Sequence, residues 1–310
     1  MAGPDPKVVS LIASATEIVF ALGMGPHLVG RSHECDFPAE VRRLPVCTHP
    51  KFETSGTSIA IDAQVKSLLS QGLSIYHVNE KLLSELKPDV IVTQSHCKVC
   101  AVSSNDVRTA LDGDTTFQPM IVSLSPNSLA DVWQDILRVA SALGVPERGV
   151  ELCAQLQNRI ATLASSASRI KANPKVLCLE WINPLMAAGN WMPELVKLVN
   201  AHDPFGIPGV HSPWLDWEQV QAEDPEVIIV MPCGFDLNRT RKEAEELCRL
   251  PGWNNLRAVR TGRVALADGN EFFNRPGPRL VESLEILAEI IHPASFDLGQ
   301  QARAWMPFPR

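Results

Sequence analysis

Apolar residues in this chain alternate between short unbroken runs and helical stripes. Residues 7–12, rich in β-branched side chains, predict a first strand. Ser14 or Thr16 is expected to cap the following helix, which carries Ile18, Val19, Ala21 and Leu22 and stops at Gly23. A short strand is predicted at 28–30. The stretch from Ser32 to about Thr57, broken by Pro38, Pro45, Pro50 and Gly56, predicts a long loop of the kind that usually carries function. Helical spacing returns around 62–70 and 80–86. Pro88-Asp89-Val90-Ile91-Val92-Thr93 then reads as a strand buried in a parallel sheet. A helix over 104–111, a strand over 120–124 and an amphipathic helix over 129–143 complete this half.

The pattern changes at Pro146. Cys153, Leu156, Ile160, Leu163, Ala167 and Ile170 form one apolar stripe on a helix of about 25 residues, roughly 37 Å long, ended by Asn173-Pro174. Such a rod suits a connection between two lobes. Beyond it the first pattern restarts. Lys175-Val176-Leu177-Cys178-Leu179 echoes Lys7-Val8-Val9-Ser10-Leu11, and Asp224-Pro225-Glu226-Val227-Ile228 echoes Lys87-Pro88-Asp89-Val90-Ile91. The predicted fold is α/β: two Rossmann-like lobes with mainly parallel sheets, 1–145 and 173–310, joined by one long backbone helix, 146–172. Ligands of such sheets bind beyond the carboxyl ends of the strands, so a cleft between the lobes is the expected site.

Composition narrows this. Hydrophobic content of 45% with 20% charged residues sits at globular averages, so a folded chain is expected. A net charge of −7 without any basic run argues against nucleic acid or an anionic membrane as partner. The first residues lack a basic segment followed by a long apolar one, and no run is apolar enough to enter a bilayer. A cytoplasmic setting is therefore expected, with most of the eight Cys reduced and the protein monomeric. No nucleophile elbow, phosphate loop or dinucleotide fingerprint occurs: Gly23-Met24-Gly25 follows its helix instead of preceding it. A binding role is favoured over catalysis, and no catalytic residue is assigned.

Several ordered segments carry a family resemblance. They are Ser10-Leu11-Ile12-Ala13-Ser14-Ala15-Thr16-Glu17, Leu28-Val29-Gly30-Arg31-Ser32 with Asp36-Phe37-Pro38, and Leu86-Lys87-Pro88-Asp89-Val90-Ile91-Val92. Ser212-Pro213-Trp214 with Glu218-Gln219-Val220, then Asp224-Pro225-Glu226-Val227-Ile228, then Arg275-Pro276-Gly277-Pro278-Arg279 continue the series. In order and spacing, over roughly residues 7–292, the chain resembles the periplasmic-type cobalamin and iron-siderophore binding proteins of ABC importers, and most of all their vitamin B12-binding branch. The resemblance implies a rigid receptor that grips a bulky corrinoid or other metal chelate. It also implies one glutamate per lobe offered to arginines of a membrane permease, at Glu80 and Glu218 here. Both would equally be ordinary acids in a first helical turn.

Other residues bear candidate chemistry. Cys97-Lys98-Val99-Cys100, with His96 beside it, leaves a strand end and offers two soft ligands. A closed site for zinc or a similar transition metal needs four, and His33, Glu34 and Cys35 are the candidates for the rest. Tight-turn packing explains the same cysteines. Trp181, Trp191 and Trp214, with Phe272 and Phe273, are expected to rim a cleft and meet a flat macrocycle. Trp253 is expected to be structural. Glu180 either contacts cargo or caps a helix, and His211 is a candidate axial ligand for a chelated metal. Ser14 and Thr16 sit where a helix start could meet polar cargo groups. The expected function is an intracellular carrier, scavenger or sensor of a cobalamin-like metal chelate. The alternatives are a chelatase-like metal or thiol enzyme built on Cys97 and Cys100, and an ABC-importer receptor.

Overall fold

In a computed structural model, residues 5–71, 73–95, 102–112 and 117–309 are described. They divide into two units: Met1–Gly56, Ala63–Pro126 and Ala130–Leu156 form the first, and Thr57–Asp62, Asn127–Leu129 and Gln157–Arg310 the second. As the sequence predicts, these are two Rossmann-like lobes of mainly parallel sheet joined by one long helix.

The first lobe runs β1 (Val8–Ser10), α1 (Ala13–Ala21), β2 (Leu28–Arg31), β3 (Thr48–Pro50), α2 (Ser58–Ser70), β4 (Tyr76–Val78), α3 (Glu80–Leu86), β5 (Val90–Gln94), α4 (Ser104–Leu111), β6 (Met120–Leu124) and α5 (Leu129–Ala142), except that residues 58–62 of α2 and Leu129 of α5 belong to the second unit. Its four-stranded sheet has the order β2-β1-β5-β6, with every pair parallel. Val9, Leu11, Ile75, Leu83, Ile91 and Val107 close one face of the core. Each such side chain contributes roughly 1.5–3 kcal/mol by leaving water.

The connecting helix α6 (Pro146–Ala167) buries Cys153, Leu156, Ile160 and Ala167, the stripe read from the sequence. It stops one turn earlier than predicted. Ile170 N donates to Ala167 O, and the Asn200 amide donates to the carbonyls of Ile170 and Ala172, so the last polar groups are satisfied outside the helix. In the first lobe Arg148 donates to Leu22 O at 3.1 Å, at the end of α1. In the second, Arg159 pairs with Glu285 at 2.8 Å.

The second lobe runs β7 (Val176–Trp181), β8 (Met186–Ala187), α7 (Met192–Leu198), α8 (Trp217–Glu223), β9 (Val227–Val230), α9 (Leu237–Glu243), α10 (Arg257–Arg260), β10 (Val264–Ala267), α11 (Leu280–Ile291) and β11 (Trp305–Pro307). The sheet order is β11-β10-β9-β7-β8, parallel in the centre with one antiparallel strand at each edge. Leu177, Leu179, Val220, Ile228, Val230 and Leu266 fill its core together with Trp253, which is structural as expected.

The internal echo extends to single hydrogen bonds. Asp89 N and Val90 N both donate to Lys7 O, at 2.9 and 3.2 Å; Glu226 N and Val227 N both donate to Lys175 O, at 2.9 and 3.1 Å. In each lobe the preceding helix ends on a left-handed residue, Lys87 or Asp224, followed by a proline that cannot continue the helix.

Two local expectations differ. α1 has Ile12 at its N-cap and no side-chain cap; the Thr16 hydroxyl instead lies 2.8 Å from Ser10 Oγ and 2.9 Å from Cys35 Sγ. The long loop contains β3, which pairs antiparallel with β4. Three residues whose partner lies far along the chain leave no periodic signal.

Candidate functional site

Both lobes place chemistry at the carboxyl ends of their strands. In the first, the residues after β2 turn inward. Ser14, Thr16 and Cys35 are buried, so their polar atoms serve the core of this region. His33 packs its ring against Tyr76, at 5.4 Å between centroids, and its Nδ1 lies 2.9 Å from Thr48 Oγ1. Burial, then the charges of His49 and Arg31, lower its pKa to about 4. The imidazole is therefore neutral at neutral pH. Glu34 is half-buried, with Oε1 3.9 Å from His33 Nε2. His33, Glu34 and Cys35 thus address different partners. Among the described residues no three His, Cys, Asp or Glu side chains come together to hold a metal. His96, Cys97 and Cys100 lie outside the described residues.

In the second lobe aromatic and polar residues gather beyond the ends of β7 and β9, with Phe235 buried among them. Trp181, the last residue of β7, meets Phe235 at 5.2 Å between centroids, and the guanidinium of Arg239 lies 3.7 Å above the same ring. Desolvation lowers the pKa of Arg239. Phe235 and Arg239 are four residues apart, across the start of α9, where Asp236 accepts a hydrogen bond from Arg239 N. Beside them the Ser212 hydroxyl donates to Glu180 Oε2 at 2.8 Å and accepts from Gly189 N at 3.1 Å. His211 is exposed, and its Nδ1 lies 3.1 Å from Ser212 O; a carbonyl partner places the ring proton there and leaves the lone pair on Nε2. Trp214 is 54% exposed, a large apolar area on a loop tied down at both ends.

The aromatic residues named from the sequence therefore separate. Trp214 is exposed and Trp181 is half-buried. Trp191, Phe272 and Phe273 are buried, which corrects their expected place at a rim. Trp191 Nε1 donates to Phe273 O at 2.8 Å, and Phe273 N donates to Ser283 Oγ at 3.0 Å, so the three form the floor beneath the loops. Phe235 and Arg239 escaped the sequence reading because their i, i+4 relation spans a loop end and a helix of seven residues. Glu80 and Glu218 are both exposed, each in the first turn of its helix, α3 and α8.

The family model for periplasmic binding protein matches residues 8–271. The chain is 22% identical to the ABC transporter substrate-binding lipoprotein YvrC of Bacillus subtilis, over 94% of this chain and 81% of the relative. It is 24% identical to the vitamin B12-binding protein of Pectobacterium atrosepticum, over 89% and 84%. Among solved structures, a periplasmic heme binding protein from Pseudomonas aeruginosa shares the fold with a TM-score of 0.72 and 19% identity, covering 98% of this chain and 99% of that one.

The chain belongs to the periplasmic binding protein family. It is a substrate-binding protein. This corrects the expected cytoplasmic setting: the family and the lipoprotein relative are extracytoplasmic receptors, and the composition of the first residues does not outweigh a receptor body matched over 8–271. With it goes the compartment argument for reduced thiols. Among the described residues Cys35, Cys47, Cys153, Cys178, Cys233 and Cys248 form no disulfide, and no helix is long and apolar enough to cross a membrane.

Proposed function

We propose that this protein is the receptor of an ABC importer and binds a flat metal chelate, a cobalamin-like corrinoid. The observation that carries the reading is the pairing in the second lobe of the exposed Trp214 and the half-buried Trp181 with the polar groups Glu180, Ser212 and Arg239, the buried Phe235 packing against both Trp181 and Arg239. Aromatic faces give a macrocycle large contact area at little entropic cost, and a few fixed polar groups orient it. The names of the vitamin B12-binding relatives support the same class. His211, with its lone pair on Nε2, is the imidazole suited to the chelated metal. Glu80 and Glu218, each exposed on a helix start, are the carboxylates proposed to meet permease arginines.

Heme is the second reading, favoured by the likeness in fold to a heme binding protein and by the cationic edge that Arg239 offers to carboxylates. Native mass spectrometry of the protein with cyanocobalamin or hemin separates the two. A one-to-one adduct with cyanocobalamin supports the first reading, and one with hemin alone the second. Retention of neither removes both.

A further inference from the structure

The ribbon of β3 and β4 carries a feature that the receptor function does not use. His49 and His77 are direct cross-strand partners in the antiparallel register, and their rings stack at 5.9 Å between centroids with 20° between planes. Both residues are exposed, while their neighbours Cys47, Thr48, Tyr76 and Val78 are buried. No side-chain hydrogen bond among the described residues engages either imidazole.

We propose that His49 and His77 form a two-point surface site for a divalent transition-metal ion, separate from the chelate-binding surface. Imidazole nitrogen is a preferred ligand of Cu²⁺, Ni²⁺ and Zn²⁺, and affinity at such a site follows the order in which Cu²⁺ binds tightest. A metal–nitrogen bond of about 2.0–2.1 Å sets two adjacent metal-bound imidazole rings roughly 4.5–5 Å apart, centre to centre. The rings at 5.9 Å therefore need to close by only about 1 Å, which exposed side chains achieve by small rotations about χ1 and χ2. The backbone beneath them does not have to move. Lys51 N donates to Ile75 O and Asn79 N to Cys47 O, both at 2.8 Å, one bond on each side of the pair. Ile75, Tyr76 and Val78 anchor that frame in the first-lobe core. Two protein ligands leave coordination positions for water or for an outside donor, so the ion bound is exchangeable rather than structural.

The test is calorimetric titration with NiCl₂ and ZnCl₂, with Cu²⁺ electron paramagnetic resonance in parallel, all in a Cys97→Ser/Cys100→Ser background so that thiols do not compete. One equivalent is expected to bind, with two coupled nitrogens in the Cu²⁺ spectrum. His49→Ala and His77→Ala should each weaken binding at least about tenfold, because a chelate becomes a single imidazole. His27→Ala, a half-buried imidazole paired with the exposed Asp5, should leave it unchanged. Circular dichroism confirms folding, and exposed positions are not expected to disturb it. One-equivalent binding that persists undiminished in the His49→Ala/His77→Ala variant, or no binding to the parent beyond that variant's, overturns the proposal.

Discussion

Ser212 donates its hydroxyl proton to Glu180 at 2.8 Å and so ties the loop bearing Trp214 to the end of β7. The same hydroxyl accepts from Gly189 N, making a short relay from backbone to carboxylate. Removing it in Ser212→Ala leaves a half-buried carboxylate and a buried N–H without this partner. A loss of about 1.5–3 kcal/mol is expected from a hydrogen bond to a charged group, read as a lower urea midpoint. Chelate affinity should fall with it.

Gly189 gives a sharper test of the same loop. A Cβ there would stand 2.5 Å from Ser212 N and 2.5 Å from Val210 O, both backbone atoms that cannot swing aside. Gly189→Ala should therefore destabilise more than Ser212→Ala and displace the Trp214 loop. Loss of chelate binding with an unchanged midpoint would contradict this.

Glu289 holds the C-terminal strand. Its carboxylate accepts from the backbone N–H groups of Leu298, Gln300 and Gln301, and from Trp305 Nε1. Glu289→Ala leaves four donors to find water, at a cost of about 3 kcal/mol or more. Hydrogen exchange at 298–305 should quicken well before global unfolding, because β11 sits at the sheet edge and loses its anchor.

The half-buried His33 and the buried Asp135 give the stability opposite pH slopes. His33 has a folded pKa of about 4 against 6.5 for an ordinary histidine, so its contribution is complete above pH 6.5 and is lost as pH falls toward 4. Burial raises Asp135 from 3.8 to about 6, against the pull of Arg138 and Ser125 N. Its contribution is complete below pH 4 and is lost as pH rises through 6. His33→Asn should therefore flatten the acid-side fall. Asp135→Asn should gain on the parent between pH 4 and pH 6.5. Urea midpoints at pH 4.5, 5.5 and 7 check both signs.

Much of this architecture was legible in the sequence. The runs around Val8, Val90, Val176 and Val227 are apolar on both faces, so they announced buried strands, and their repeated Pro-Asp and Pro-Glu entries announced a doubled design. The stripe from Cys153 to Ala167 announced the connecting helix. The strands β3, β4, β8 and β11 did not show, because two or three residues have no period and are defined by pairing across the chain. At the site, composition of the loops pointed to aromatic contact, but a tryptophan in a surface loop and one folded beneath it look alike in sequence. Burial, with the bond from Trp191 Nε1 to Phe273 O, separates that residue from the exposed Trp214.

The most direct measurement is a tryptophan fluorescence titration with cyanocobalamin, with hemin in parallel, on the parent protein and on Trp214→Ala. Trp214 is more than half exposed, so its removal should leave the urea midpoint within about 0.5 kcal/mol of the parent. The expected result is saturable quenching at one equivalent of chelate, weakened about tenfold in the variant, the loss of one well-placed aromatic contact. No change in fluorescence up to tens of micromolar of either chelate, or curves identical in parent and variant, would contradict chelate binding on the second-lobe aromatic surface.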